Sequence, residues 1–142
     1  MKRLTTLFAA FLLSFNALAK CTSPEKTIFS CLTAKAKKIE VCDAGKNIVY
    51  SFGFPNSKPE IVLNVPRAMA RKESIVGTGC INNSVSIPNG NTTYNIYSIE
   101  SLRQPCDEAG VEVYINEKYA ATVKCKSSVT DNIANADLLE KE

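Results

Sequence analysis

The chain contains no histidine and no tryptophan among its 142 residues. Without histidine the usual general base near neutral pH is missing, so neither a Ser-His-Asp nor a Cys-His catalytic site can be built. Ordinary zinc and copper sites lose their commonest ligand for the same reason. The motifs GxSxG, GxGxxG, HExxH and the P-loop are also absent. Carboxylate-only catalysis stays open, but the sequence argues against an enzyme and predicts no metal and no cofactor.

An excess of positive charge is also nearly lacking. The chain has 17 Lys and Arg against 14 Asp and Glu, and Lys2 and Arg3 lie in a segment that we expect to be removed. The mature net charge would then be about +1, which is weak support for a nucleic-acid partner. Lys35, Lys37 and Lys38 cluster without interleaved aromatic residues, as is typical of a solvated turn. We therefore expect no nucleic-acid partner.

The first residues have the pattern of a secretory signal peptide. A basic start precedes an apolar run from Leu4 to Phe15, and the small residues Ala17 and Ala19 come directly before Lys20. Cleavage after Ala19 would deliver the mature protein to the periplasm with no stable membrane anchor.

A lipoprotein acylated on Cys21 is the alternative. Lys20 argues against it, since the lipoprotein peptidase expects a small residue there. Acylation would also leave an odd number of thiols in an oxidising compartment. The predicted organisation is a signal peptide (1–19), one β-domain (20–125) and a flexible tail (126–142).

All six cysteines lie after the predicted cleavage point, and in an exported chain they are expected to pair. Our hypothesis joins Cys21 to Cys125, Cys31 to Cys42 and Cys80 to Cys106. The close rival joins Cys21 to Cys31 and Cys42 to Cys125, and spacing alone does not choose between them. The sequence therefore predicts a disulfide-stapled domain with open connectivity.

Apolar residues alternate with a period of two along most of the mature chain, which indicates half-buried β-strands. About eight strands are predicted, in an antiparallel sandwich or small barrel. They cover 27–32, 37–43, 48–54, 61–65, 81–87, 92–100, 111–115 and 118–125.

Turn residues separate these strands. Pro88-Asn89-Gly90-Asn91 predicts a tight hairpin, because glycine takes a positive φ at little cost. Residues 66–79 lack the alternation and are interpreted as a long connection with a helical turn near 68–72. The polar segment after Cys125 is expected to be mobile.

Seven segments together resemble small secreted bacterial proteins related to periplasmic lysozyme inhibitors. The match extends over nearly all of the chain from Cys21 to Cys125. Its segments are Cys21-Thr22-Ser23-Pro24, Ile28-Phe29-Ser30-Cys31, Lys37-Lys38-Ile39-Glu40-Val41-Cys42, Tyr50-Ser51-Phe52-Gly53, Lys58-Pro59-Glu60-Ile61, Ser86-Ile87-Pro88-Asn89-Gly90 with Tyr94, and Ala121-Thr122-Val123-Lys124-Cys125. The resemblance implies a compact antiparallel β-domain that inserts a loop into the cleft of a peptidoglycan-degrading enzyme. Similar proteins serve as immunity partners against cell-wall effector toxins.

Two departures narrow this resemblance. The chain lacks the tryptophan-containing Lys-Gly strand turn typical of inhibitors of chicken-type lysozyme, which disfavours that subgroup. Cys80 and Cys106 are additional to the simpler cysteine pattern and indicate a specialised loop.

The candidate partner-binding residues fall in the hairpin and in two loops, and each also has a purely structural interpretation. They are Ser86, Asn89, Gly90, Asn91 and Tyr94 around the hairpin, Arg67 and Arg71 in the long connection, and Arg103 before Cys106. The hairpin needs Asn-Gly for its geometry alone, and the arginines could be solvated charges rather than partners of catalytic carboxylates.

The leading functional prediction is a periplasmic protein that binds and neutralises a peptidoglycan-degrading or cell-wall-modifying enzyme. It would act as a lysozyme inhibitor or as a toxin-immunity protein. The alternative is a small-ligand-binding carrier module of the envelope. A homodimer formed through an edge strand is left open.

Overall fold

The computed structural model describes residues 21, 23 and 26–142. The signal-peptide prediction and the lipoprotein alternative concern residues 1–20 and lie outside these residues, apart from Cys21. Within the described part of the chain, no helix is long and apolar enough to cross a membrane. The strands are β1 (Thr27–Thr33), β2 (Lys38–Asp43), β3 (Asn47–Gly53), β4 (Ile61–Pro66), β5 (Arg71–Val76), β6 (Cys80–Asn89), β7 (Thr92–Ser101), β8 (Glu108–Ile115), β9 (Lys118–Asp131) and β10 (Leu139–Glu140), with a 3₁₀ turn at Arg67–Met69.

The ten strands of the described residues belong to one sheet, in the order β10-β5-β6-β7-β8-β9-β1-β2-β3-β4. All neighbours pair antiparallel except β10, which runs parallel to β5. The 14-residue strand β9 joins the two halves of the sheet. Its first half pairs with β8 and its second half with β1, and Ser128, within the second half, has a φ of 55°. The sheet therefore curls into a half-barrel, which brings β4 into contact with β6.

The inner face of the curled sheet carries the core. Alternate residues of β2 and β3 point inward, and so do alternate residues of β6, β7 and β8. The rings of Tyr50 on β3 and Tyr94 on β7 meet across the interior with centroids 5.1 Å apart. The buried cluster consists of Ile28, Phe29, Cys31, Ile39, Val41, Ile48, Tyr50, Ala70, Val85, Ile87, Ile96, Ala109, Val111, Ile133 and Leu138.

The all-β antiparallel class is confirmed, but the strand number and the tail are not. Residues 71–76, interpreted as part of a connection, form β5. The expected mobile tail begins inside β9, buries Ile133 and Leu138 against the core, and ends in β10. The eight predicted strands are therefore ten, because two polar segments become strands by pairing rather than by alternation.

Three disulfides staple the sheet, and the cysteines of the described residues are all paired. Cys80–Cys106 was predicted and is found. The other two predicted bonds are wrong, as is the rival pairing: the structure joins Cys21 to Cys42 and Cys31 to Cys125. The reason is sheet order, since β1 lies between β2 and β9 and the register places Cys125 opposite Thr33, near Cys31.

Candidate functional site

The long β6–β7 hairpin separates two candidate binding regions. Its turn lies at residues 89–92, while Cys80 pairs with Ser101 at the opposite end. Nine residues at about 3.3 Å each place these ends about 30 Å apart. Arg103 therefore lies far from the Asn89–Asn91 turn, and the predicted site residues do not form one site.

At the Cys80 end, two short loops are joined by the disulfide Cys80–Cys106. We call residues 77–79 and 102–105 the staple loops. The carbonyl oxygen of Gly79 accepts backbone hydrogen bonds from Leu102 (2.7 Å) and Arg103 (3.0 Å). Gly79 has a φ of 92°, and a Cβ there would lie 3.3 Å from that of Arg103. The staple loops are thus locked to each other by backbone contacts as well as by the covalent bond.

The staple loops and the end of β5 present apolar side chains to solvent. Val76 is 71% exposed and Leu102 is 53% exposed. Together with the glycines and Arg103, they line a shallow groove of about 380 Å³. Val76 and Leu102 line this groove together, so they form one apolar surface beside an arginine, and a contiguous apolar surface can mark a protein-binding site.

A second groove opens beside the staple loops on the inner side of the sheet. One half, of about 420 Å³, lies between β5 and the 132–135 turn. The other half, of about 390 Å³, lies where β9 leaves β8. Both halves are lined by Glu100 and Asp131, so we treat them as one feature, the inner groove.

Side chains of the inner groove are held by a short hydrogen-bond chain. Ser74 donates to Oδ1 of Asn83 (2.7 Å), and Nδ2 of Asn83 donates to Asp131 (3.3 Å). The second carboxylate oxygen of Asp131 accepts the backbone N–H of Ile133 (2.8 Å), which fixes the turn that follows β9. The groove wall is therefore built by β5, β6 and the start of the C-terminal segment together.

Glu108, on β8, is shared between two donors. Tyr97 donates to Oε1 at 2.6 Å and Lys124 to Oε2 at 2.9 Å. These bonds, the one from Tyr97 first, hold the pKa of Glu108 below its ordinary value. Burial and the same hydrogen bond raise the pKa of Tyr97. The pair thus keeps an ionised carboxylate beside a neutral phenol.

The hairpin turn itself was predicted correctly. Asn89 pairs with Thr92, and only Gly90 of the two loop residues has a positive φ (60°), as in a type II′ turn. Asn91 lies beside the Asn116-Glu117 turn, whose first amide donates to the Asn91 carbonyl oxygen (2.8 Å). Asn89, Gly90 and Asn91 are exposed.

Ser86 and Tyr94 do not flank this turn on one face. Tyr94 points inward onto Tyr50, while Ser86 points outward and donates to Oδ1 of Asn95 (3.0 Å). Tyr94 therefore packs in the interior, and the structure does not bring Ser86 and Tyr94 together on one face.

The two arginines of residues 66–79, the segment predicted as a long connection, also have structural partners. Arg67 donates through Nε to the carbonyl oxygen of Gly45 (2.8 Å), and its Nη atoms reach Asp43 and the Asp137 carbonyl oxygen. Arg71 begins β5 between Ser86 on β6 and Leu139 on β10. The structural interpretation of Arg67 is therefore the better one.

Of the predicted residues, only Arg103 lies in the staple loops. Sequence reasoning missed Val76 and Leu102, whose exposure depends on β5 and on the Cys80–Cys106 bond. The available signal was Gly77-Thr78-Gly79 directly before Cys80, which marks a tight turn at a covalent staple.

A cluster of Cys21, Glu40 and Cys42 has the residue types of a metal site. Its two sulfurs are bonded to each other, so they offer no thiolate ligand.

Comparison of the chain with protein-family models, curated proteins and solved structures finds no match. The resemblance to lysozyme inhibitors stays a prediction.

Proposed function

We propose that this chain is a periplasmic binding protein that neutralises a peptidoglycan-degrading or cell-wall-modifying enzyme by covering its active site. It would do so as a lysozyme inhibitor or as the immunity protein of a cell-wall toxin. The observation that carries the proposal is the pair of staple loops, which hold Val76 and Leu102 exposed beside Arg103.

Rigidity supports a binding role for these loops. A loop that is already fixed loses little conformational entropy when it docks, so more of the contact energy appears as affinity. The Cys80–Cys106 bond and the hydrogen bonds to Gly79 supply that rigidity. Three disulfides also fit a protein that works in an oxidising compartment.

The chemistry of Arg103 supports the choice of target. Glycosidases that cleave peptidoglycan place two carboxyl groups in an open cleft. A guanidinium on a protruding loop can form a bidentate pair with a carboxylate. The flanking aliphatic side chains would exclude water around that pair. Arg103 and Leu102 would therefore enter the cleft together.

The test is a pull-down with the exported mature protein under non-reducing conditions. The mature protein is the bait, and it is incubated with envelope extract and with a panel of purified muramidases. The activity of each muramidase is measured with and without the protein. We expect stoichiometric capture of one cell-wall enzyme together with loss of its activity. Capture of no such enzyme contradicts the proposal.

A matched pair of variants locates the contact. Leu102→Asp places a charge among the staple loops and should weaken capture at least tenfold. Val62→Asp makes the same change at a similarly exposed position on β4, the strand at the other edge of the sheet, and should leave capture unchanged. Equal capture by both variants would exclude the staple loops as the contact.

The inner groove favours a second candidate, a small-ligand-binding module of the envelope. Its two halves fall within the size range of ligand sites. A small molecule that copurifies with the native protein, seen by intact mass spectrometry under native conditions, would support this candidate over the inhibitor.

A further inference from the structure

The outer edge of β5 is only half covered. Gly77 donates its N–H to the carbonyl oxygen of Cys80 (2.9 Å), which extends the β5–β6 ladder. In an antiparallel pair every second residue directs its backbone groups to the partner strand, so Ile75 and Glu73 also bond to β6. The even-numbered residues then face the other way. Lys72 confirms this, since its carbonyl oxygen accepts the N–H of Lys141 beyond β10 (2.8 Å).

The pairing of β10 with β5 ends at Lys72. Ser74 and Val76 therefore carry N–H and C=O groups directed out of the sheet, with no strand of the described residues beside them. An exposed row of such groups is a template for another strand. A strand placed there would continue the line of β10.

The inner groove lies directly beneath this bare edge. Ser74 and Val76 form one wall of it, and Asn132 and Asn135 lie among the residues of the opposite side. Its carboxylates are Glu100 and Asp131. No lysine or arginine lines this half, while Lys126 lines the other half beside the same two carboxylates. A strand added to β5 would direct every second side chain over the groove, where a positive charge is favoured.

From these contacts we infer that the bare edge of β5 binds an extended segment of a partner protein, with a lysine or arginine side chain directed to Glu100 and Asp131. The segment pairs through its backbone with Ser74 and Val76. This inference rests on the proposed function, because the segment belongs to the enzyme that the staple loops cover, and it adds a second contact next to them.

The probe is an acetylated and amidated peptide, Thr-Val-Lys-Val-Thr, and its matched peptide with glutamate in place of lysine. Amide nitrogen–proton correlation spectra of the whole mature protein report where each one binds. We expect saturable shifts at Ser74, Val76 and Asn132 with the lysine peptide, and binding at least fivefold weaker with the glutamate peptide. No shift at these amides with the lysine peptide overturns the inference.

Two variant pairs test the backbone and the charge separately. Val76→Pro removes an outward N–H without breaking the β6 ladder and should weaken peptide binding about fivefold relative to Val76→Thr, which keeps that N–H. Glu100→Gln should weaken binding about two- to fivefold, and Glu117→Gln, at the distant hairpin, should not. Equal binding within both pairs overturns the inference.

The same variants separate this inference from the proposed function. If a cell-wall enzyme is captured equally by Val76→Pro and Val76→Thr, the proposed function stands and the strand-addition site fails. If the lysine peptide binds as expected but no cell-wall enzyme is captured or inhibited, the site stands and its assignment to such an enzyme fails.

Discussion

Arg67 donates a hydrogen bond from Nη2 to Oδ1 of Asp43, and this bond ties the 3₁₀ turn to the end of β2. The same guanidinium reaches the carbonyl oxygens of Gly45 and Asp137. One side chain thus joins the β2–β3 turn, the β4–β5 connection and the C-terminal segment. A residue predicted to contact a partner instead holds three parts of the chain together.

Arg67→Ala should therefore destabilise the fold by about 1–3 kcal/mol at pH 7. The bond from Arg67 holds the pKa of Asp43 below its ordinary value of 3.8. A depressed carboxyl pKa contributes stability that is present above the unfolded pKa and lost as the pH falls through the folded one. The difference in unfolding free energy between wild type and Arg67→Ala should shrink as the pH falls below 3.8, as urea unfolding at several pH values will show.

The control for this prediction is Arg103→Ala, which removes an exposed arginine of the staple loops and should change the stability by less than about 0.5 kcal/mol. A loss of stability with Arg67→Ala that is independent of pH would contradict the role given to Asp43.

Two of the disulfides should differ in how much they contribute to the free energy of unfolding. Cys31–Cys125 closes a separation of 94 residues, against 21 for Cys21–Cys42. On chain-entropy grounds, replacing the first pair by alanine should cost about 1 kcal/mol more than replacing the second. Cys31 is also buried in the core. Urea midpoints of the two double variants check this order, and a reversed order would contradict it.

Gly110 should be intolerant of any side chain. A Cβ there would overlap the carbonyl oxygen of Val123 and lie 3.1 Å from Cα of Lys124. Gly110→Ala should therefore destabilise the fold by about 1–3 kcal/mol, because β8 and β9 must move apart. Gly77→Ala is the matched control, since its Cβ would meet only the Cys80 carbonyl oxygen at 4.0 Å. Thermal unfolding of both variants decides it.

Tyr94→Ala should lower stability rather than affect partner binding alone. Its ring packs on Tyr50 across the interior, and its loss should cost about 2–4 kcal/mol. Tyr94→Phe keeps the ring and should be close to neutral. Denaturant unfolding measures both, and an alanine variant as stable as wild type would show that the contact contributes little.

Stability should also fall at high pH. Burial raises the pKa of Tyr50 and of Tyr97 above the ordinary value of 10.0. This contribution is complete below pH 10 and is lost as the pH rises toward the folded pKa values, because the unfolded chain ionises first. Urea midpoints at pH 8 and pH 11 test this, and the decline should be smaller in Tyr97→Phe. Equal midpoints at both pH values would contradict it.

Much of the sheet followed from sequence because its strands alternate. Ile48, Tyr50 and Phe52 face one side of β3, and Ile61, Leu63 and Val65 face the same side of β4. The turn at Gly90 could also be predicted from the sequence, since a two-residue hairpin loop needs a residue with positive φ. These are local properties, which a few neighbouring residues decide.

The strand β5 could not be predicted from apolar alternation. Arg71, Lys72, Glu73 and Ser74 show no apolar alternation, and they form a strand because β6 offers them a full register of partners. Ile133 and Leu138 are similarly sparse in a polar segment, yet both are buried. Neither outcome can be read from a short window of sequence, because the partner lies elsewhere in the chain.

The sequence by itself determined the antiparallel β class, the tight hairpins and the presence of an oxidised cysteine framework, because periodicity, turn chemistry and cysteine number are local or compositional. Only the tertiary structure decided which cysteines pair, that Arg67 and Tyr94 are structural, and that Val76, Leu102 and the bare edge of β5 lie together. Those outcomes depend on the order of strands in the curled sheet, which brings together residues far apart in the chain.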